Sequence, residues 1–339
     1  MSLPGWEPGF DSPLITCLRS SLAGGRDMSI TRRQWLQTVG GAAVGLAGRT
    51  AQAVFRQAAA MRLGFSLYGM KSLPLMQSLK ICADIGYSGV ELPVMPDWPA
   101  EPAQLSSRAR INLRKQLQDL SLDLLSLMDN LPLLVSAEQH KQHQERLKAA
   151  GELAHDLSPD APPLVETVLG GRPETWNDVK ERMVDLLGDW EQVVRTARVV
   201  LAVKPHVFNA LHTPEDARWL VRQIDSPWVK LAFDYSHFER QQRPLAECLQ
   251  AMLPDTVFVH VKDNVQVDGK TEFALPGEGT IDYAGYMQRL KAGGYRGPVV
   301  VEVSAQVSNK PGYNPVIAAE RSYLALQPAF EKVGLRIRT

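Results

Sequence analysis

Ionisable side chains in this sequence recur at the ends of short apolar or β-branched runs. Lys204 and His206 follow the run 199–203, and Asp234 and His237 follow 229–233. His260, Lys262 and Asp263 end the run that begins at Val257, and Glu302 lies within 299–303. Earlier in the chain Glu91, Asp129 and Glu166 hold the same kind of position. Polar groups are costly to bury unless they find partners, so such an accumulation points to a functional site. Asp234, His260 and Glu302 form a mixed oxygen and nitrogen set. It suits a hard or borderline divalent ion such as Mn²⁺, Mg²⁺, Co²⁺ or Zn²⁺. Each residue alone has an innocent role: Asp234 as a helix cap, His260 as a satisfied core histidine, Glu302 as the ion-pair partner of Lys204. The combination argues for chemistry.

The elements that must position these residues are legible in the spacing. From residue 61 onward, short runs rich in Val, Ile and Leu alternate with helix-sized segments, the pattern of βα units and a parallel sheet. The strand candidates are Leu63–Leu67, Gly89–Leu92, Leu122–Met128, Leu164–Leu169, Val199–Val203, Val229–Phe233, Val257–Val261 and Val299–Val303. Eight such units predict an α/β fold, a (β/α)₈ TIM barrel as a single domain over residues 61–335, within the length that such a barrel uses. Thr213-Pro214-Glu215-Asp216 supplies an N-cap hydroxyl, a proline at the first helical position and acids in the first turn. From Thr175 the residues Val179, Met183, Leu186, Leu187, Trp190, Val193, Val194 and Ala197 form one buried helical stripe. Gly86 and Gly293 sit where helix C-caps are expected, Asn314-Pro315 opens the last helix, and Pro328 is expected to kink or end it. In a barrel of this kind the loops after the strands converge on one rim. Asp234, His260 and Glu302 then stand on three neighbouring staves and point at one place.

The chain of 339 residues has 45% hydrophobic and 22% charged residues, with 37 basic against 37 acidic side chains. That is the composition of an enzyme with a large core, and it argues against a polyanionic partner such as nucleic acid. Thr31-Arg32-Arg33-Gln34-Trp35-Leu36-Gln37, the apolar run 39–48 and Ala51-Gln52-Ala53 read in order as a twin-arginine export signal over residues 28–53. Cleavage is expected after Ala53, giving a mature chain that begins at Val54 in the periplasm or another exported location. The apolar run is too short for a membrane span, so no stable membrane insertion is expected after cleavage. Residues 1–27 read as a start-site extension or leader, with Met28 the more natural start. Of three cysteines, Cys82 and Cys248 fall in the mature part and form neither a C-x-x-C motif nor a disulfide framework.

Four motifs carry a family resemblance: Leu231-Ala232-Phe233-Asp234-Tyr235-Ser236-His237, then His260-Val261-Lys262-Asp263, then Gly277-Glu278-Gly279-Thr280-Ile281-Asp282-Tyr283, and residues 294–302 ending in Glu302. In this order they resemble the successive motifs of the xylose isomerase-like TIM barrels, the sugar phosphate isomerase/epimerase superfamily. The resemblance implies that Asp234, His260 and Glu302 bind a divalent metal and that His237 helps to hold the substrate. His206, Lys262, Asp263 and Trp98 join His237 as expected substrate contacts, and Glu302, Lys204 and His237 are the expected catalytic residues. The family keeps a metal-binding, proton-moving glutamate at the end of its fifth strand, whereas this chain reads Val203-Lys204-Pro205-His206.

Three readings of Lys204 are open: a neutral base or ligand whose pKa a metal lowers, a cation or Schiff-base lysine that replaces the metal, or a mark of lost catalysis in a carbohydrate-binding barrel. The reaction implied is proton transfer beside the carbonyl of a small carbohydrate, giving isomerisation or epimerisation, or a lyase or dehydratase reaction on a keto sugar or glycoside. Tyr68 and Trp98, after the first two strands, offer apolar faces for a sugar ring. No glycine-rich phosphate cradle is apparent in the sequence, and neutral charge with few histidines argues against the DNA-repair branch of the superfamily.

Overall fold

A computed structural model describes residues 61–335; the leader and the export signal expected at 1–53 lie outside the described residues. All eight expected strands form. They are β1 (Arg62–Ser66), β2 (Gly89–Pro93), β3 (Asp123–Met128), β4 (Leu164–Thr167), β5 (Leu201–Val203), β6 (Val229–Asp234), β7 (Thr256–Val261) and β10 (Pro298–Val301). They close into a parallel barrel in the order β1-β10-β7-β6-β5-β4-β3-β2. The described residues thus form a single (β/α)₈ TIM barrel. In the barrel register Asp234 pairs with His260, and Val300 on the far side of β7 pairs with His260 as well. That alignment sets the strand ends carrying Asp234, His260 and Glu302 side by side.

The floor of the barrel is shaped by missing side chains. A Cβ on Gly64 or Gly89 would lie 2.3 or 2.9 Å from Leu125 Cδ1, so both glycines make room for that leucine. A register shift opposite Val90 and Glu91 places one extra residue in β3. Neighbouring strand residues ordinarily face opposite sides of a sheet, and a bulge relaxes that rule. Leu125 can therefore pack against Gly64 and Gly89 while Ser126 reaches Glu91.

The helices wrap the barrel as the local signals require. Helix α1 (Leu75–Ile85) ends on Gly86 in the left-handed conformation at φ 109°. Helices α2 (Ser107–Asp119), α3 (Ala137–Leu157) and α4 (Trp176–Ala197) follow, and α4 buries Met183, Leu187, Trp190 and Val194 from the expected stripe. Helix α5 (Pro214–Ile224) starts as read, with Thr213 accepting from the Asp216 N–H. Short helices α6 (Tyr235–Glu239) and α7 (Leu245–Met252) precede β7, and α8 (Tyr283–Ala292), α9 (Ala305–Ser308) and α10 (Pro315–Lys332) complete the ring.

Gly293 caps α8 as expected, at φ −77°, and Gly294 beside it takes the left-handed turn at φ 81°. Pro328 does not end α10, which runs on to Lys332. Leu326, Ala329 and Phe330 are buried on both sides of the proline, and their packing offsets the hydrogen bond that its ring nitrogen cannot donate.

One element was not read from the pattern. Strands β8 (Asp263–Val267) and β9 (Lys270–Ala274) form an antiparallel hairpin above the rim. Its two-residue turn, Asp268-Gly269, has φ 48° and 73°, the positive values such a turn needs. The Asp-Gly pair was the available signal. Cys82 and Cys248 are free and buried. Among the described residues no helix is long and apolar enough to cross a membrane.

Candidate active site

Asp234, His260 and Glu302 each offer a ligand atom within 4.8 Å of the others, so they converge as expected at the C-terminal rim. Asp234 does two jobs at once. Its Oδ1 caps α6, accepting from the Ser236 N–H at 3.2 Å and the Ser236 hydroxyl at 2.6 Å, which leaves Oδ2 turned to the centre. His260 is oriented from across the barrel: its Nε2 lies 3.0 Å from Glu91 Oε2, while the Ser126 hydroxyl donates to Glu91 Oε1 at 2.6 Å. This assigns the ring proton to Nε2 and leaves the Nδ1 lone pair facing the centre. Burial opposes a charge on this imidazole, but Glu91 outweighs it and makes His260 more basic than usual. Burial likewise opposes ionisation of Glu91, yet His260, Ser126 and Ser66 hold its carboxyl below the usual range.

Two lysines stand among these donors. Lys204 Nζ is 3.0 Å from His260 Nδ1, 3.2 Å from Glu302 Oε2 and 3.1 Å from Glu166 Oε1. Lys262 Nζ donates to Asp234 Oδ2 and, at 2.6 Å, to Glu302 Oε2, and lies 3.4 Å from His237 Nε2. Each lysine side chain is 2% exposed. Burial disfavours the Lys204 charge, but Glu166, Glu302, Asp234 and Glu91 outweigh burial and hold the ammonium well above its ordinary pKa. With these carboxylates as its neighbours, Lys204 is a cation. Glu302, also opposed by burial, is kept well below the usual carboxyl range by Lys204 and Lys262.

The donor set suits a divalent ion; the cations bonded to it do not. The three inward-facing atoms, His260 Nδ1, Asp234 Oδ2 and Glu302 Oε2, are each already bonded by an ammonium group. An ion held at about 2.1 Å by Glu302 Oε2 would lie within about 5 Å of both Nζ atoms. A divalent ion therefore fits only by displacing the two ammonium groups from Asp234 Oδ2, His260 Nδ1 and Glu302 Oε2.

The other expected contacts divide. His206 and His237 lie together at the rim, ring centroids 4.1 Å apart. Burial, with Lys204 and Lys262 nearby, lowers His206 to about 4. Burial and Lys262 also lower His237, so both rings are neutral hydrogen-bonding groups. Asp263, expected to touch substrate, instead turns away. Its carboxylate accepts from the N–H groups of Gly277 at 2.7 Å and Ile281 at 3.2 Å. It therefore pins the Gly277-Glu278-Gly279 turn, where a Cβ on Gly279 would lie 2.7 Å from Asp263 Oδ1. Trp98, expected to face a sugar, is 9% exposed, stacks on Tyr68 at 5.1 Å and carries the Lys71 ammonium 4.6 Å from its ring centre. Tyr68 is the aromatic group that feels the site: burial raises its pKa, with Glu302 adding to the effect and Lys204 opposing it.

Three strand-end acids outside the expected site set acquire their roles only here. Glu91 orients His260. Glu166 is fully buried with Lys204 as its ion-pair partner, and burial raises its pKa against the pull of Lys204 and His260. Asp129 pairs with Arg146 and is structural.

Comparison with known proteins agrees with this architecture. The family model of the xylose isomerase-like TIM barrel matches residues 79–324. A stretch of 138 residues is 27% identical to L-ribulose-5-phosphate 3-epimerase of Escherichia coli O157:H7, covering 41% of this chain and 48% of that protein. The chain thus spans about half the length of the curated relatives it matches. Among solved structures, the IOLI protein with a bound zinc atom is 21% identical with a TM-score of 0.66, covering 80% of this chain and 99% of that one. The apo form of 3-keto-D-glucoside 4-epimerase from E. coli is 17% identical with a TM-score of 0.63, covering 79% and 99%. At such identities the structural likeness concerns the fold. With the family matched over residues 79–324 and the barrel closed as that fold requires, the chain belongs to the xylose isomerase-like TIM barrel family.

Proposed function

We propose that this protein is an enzyme that isomerises or epimerises a small carbohydrate by moving a proton at the carbon beside a carbonyl. The observation that carries this reading is the setting of Glu302. Its side chain is 12% exposed, the most open of the central cluster, and one of its oxygens is shared by two buried ammonium groups. A carboxylate so placed is ionised and reachable from the rim. The relatives' names point the same way, since L-ribulose-5-phosphate 3-epimerase and 3-keto-D-glucoside 4-epimerase both act on sugars beside a carbonyl.

The chain's own groups supply the steps. Adjacent oxygens of an open-chain hydroxy-ketone take N–H donors from the cationic centre, and this stabilises the charge that develops on the carbonyl oxygen. As those donors turn to substrate, Glu302 loses hydrogen bonds that favour its charged form, and its basicity rises. Glu302 then accepts the proton as the C–H bond breaks and its electron pair forms the enediolate double bond. Return of the proton to the neighbouring carbon gives an isomer, and delivery of a proton to the opposite face by a second group gives an epimer. Neutral His206 and His237 offer hydrogen bonds to hydroxyls, and Tyr68, backed by Trp98, offers an apolar face.

The substrate in this reading is unphosphorylated. The glycine-rich turn at 277–279 already gives its N–H groups to Asp263, which leaves them unable to cradle a phosphate. We place the working enzyme outside the cytoplasm, on the strength of the twin-arginine sequence. The deciding experiment is proton exchange in D₂O, followed by NMR over a panel of aldoses, ketoses and 3-keto-glycosides. Incorporation of deuterium at the carbon beside the carbonyl is expected, and Glu302→Gln should slow it by about 10²- to 10⁴-fold. Protein that binds these sugars without exchanging any proton would leave a carbohydrate-binding barrel in place of an enzyme.

A further inference from the structure

We infer that the paired ammonium groups of Lys204 and Lys262 are the resident cationic centre of this site, in the place where a divalent ion would otherwise sit. The inference rests on the proposed reaction class only for its catalytic consequence; its structural content stands on the geometry.

Each atom that would ligate an ion already has an ammonium partner. His260 Nδ1 is 3.0 Å from Lys204 Nζ, Glu302 Oε2 is 2.6 Å from Lys262 Nζ and 3.2 Å from Lys204 Nζ, and Asp234 Oδ2 accepts from Lys262. The two lysines arrive from different staves: Lys204 directly follows β5, and Lys262 directly follows β7. They are tied down independently as well. Lys204 is anchored by Glu166, whose side chain is fully buried and 3.1 Å away. Lys262 lies 5.0 Å from the Phe273 ring centre on the β8–β9 hairpin and 3.4 Å from His237 Nε2. Neither ammonium can leave without stranding a buried carboxylate, which is a costly change.

Two monovalent cations bridged by one carboxylate oxygen can do what a chelated ion does for a hydroxy-ketone. One ammonium donates to the carbonyl oxygen and the other to the adjacent hydroxyl, and the carboxylate between them is left beside the C–H bond. In the step itself the C–H electron pair moves into the new C=C bond and the carbonyl π pair moves onto the oxygen facing the lysine. For isomerisation the proton rests on Glu302 and returns to the neighbouring carbon, while the hydroxyl proton passes to the oxyanion. The reaction needs no oxidant, reductant or co-reactant.

The test is metal stoichiometry, which requires no knowledge of the substrate. Protein carrying residues 54–339, purified without an affinity metal, is analysed for Mn, Fe, Co, Ni, Cu and Zn by plasma mass spectrometry and titrated with Mn²⁺ and Zn²⁺ in a calorimeter. Wild type is expected to hold far less than one equivalent and to show no stoichiometric site. Lys204→Glu, which sets a carboxylate beside His260 Nδ1, is expected to gain Mn²⁺ or Zn²⁺ affinity by about 100-fold or more. Wherever exchange activity is found, it should survive EDTA in the wild type. One equivalent of a divalent ion per wild-type chain, removed by EDTA and bound no more tightly by Lys204→Glu, would overturn the inference. Should Lys204→Glu fail to fold, the wild-type metal content decides alone. Metal-free protein that exchanges no sugar proton would sink the proposed reaction and leave the ammonium centre standing.

Discussion

The Nδ1 atom of His260 lies 3.0 Å from the Lys204 ammonium, while Nε2 of the same ring lies 3.0 Å from Glu91. The imidazole is thus clamped between a buried anion on β2 and a buried cation just after β5. Its tautomer and its ring plane follow from that clamp, since each nitrogen is left one role.

Glu91→Gln tests the anionic side. The amide oxygen can still accept from Nε2, but the charge that makes His260 more basic is gone. We expect kcat to fall by about 10- to 100-fold with KM within about threefold, as for other carboxylates that orient a functional imidazole. Nitrogen NMR of the imidazole supplies the check that a merely structural role would not move. The pKa of His260 read from these resonances should fall, and an unchanged pKa would show that Glu91 does not set it.

Asp263 is predicted to act on stability before it acts on the reaction. Asp263→Ala leaves the N–H groups of Gly277 and Ile281, both partly open to water, without their acceptor, at about 1 kcal/mol for each. Asp263→Asn keeps one acceptor oxygen and should lose about half as much. Urea denaturation measures both. A variant with wild-type stability and a raised KM would return Asp263 to the substrate.

Two groups should tilt stability with pH in opposite directions. Burial, with Lys204 and Lys262, lowers His206 to about 4, from roughly 6.5 when unfolded. The neutral ring's contribution is therefore present above roughly pH 6.5 and is lost as pH falls through 4. Asp129 is raised by burial, against Arg146, to about 6, from roughly 3.9 when unfolded. The fold holds that proton more tightly, so its contribution is full below roughly pH 3.9 and is lost as pH rises through 6. Between pH 4 and 6.5 the stability of wild type relative to His206→Gln should rise, and relative to Asp129→Asn should fall, each by about 2–3 kcal/mol. Parallel slopes in the two comparisons would contradict these shifts.

Export is expected to depend on Arg32 and Arg33. In the native host, N-terminal sequencing of extracytoplasmic protein should begin at Val54, and replacing both arginines by lysine should retain the chain in the cytoplasm. Undiminished export of that variant would remove the twin-arginine assignment.

The order of elements was determined by the sequence itself, because hydrophobic period and chain order suffice for it. Eight short apolar runs separated by helical segments have one common closed solution once each crossover is right-handed. The rule that chemistry gathers at strand ends then located Asp234, His260 and Glu302 without coordinates. What the tertiary structure alone decided is which partner each polar group takes. Glu91 meets His260 across 169 positions, and Lys204 meets Glu302 across 98. Such pairs depend on barrel closure and on a bulge in β3, neither of which leaves a periodic trace. The same holds for the partners of Asp263 and Trp98. Asp263 follows β7 as a rim residue should, yet a glycine turn fourteen positions on offers it N–H groups at short range. Trp98 lies on a rim loop but finds Tyr68 before it finds solvent. Lys204 could be read from sequence as neutral or charged, and only the tertiary structure gives the carboxylates that surround its buried nitrogen.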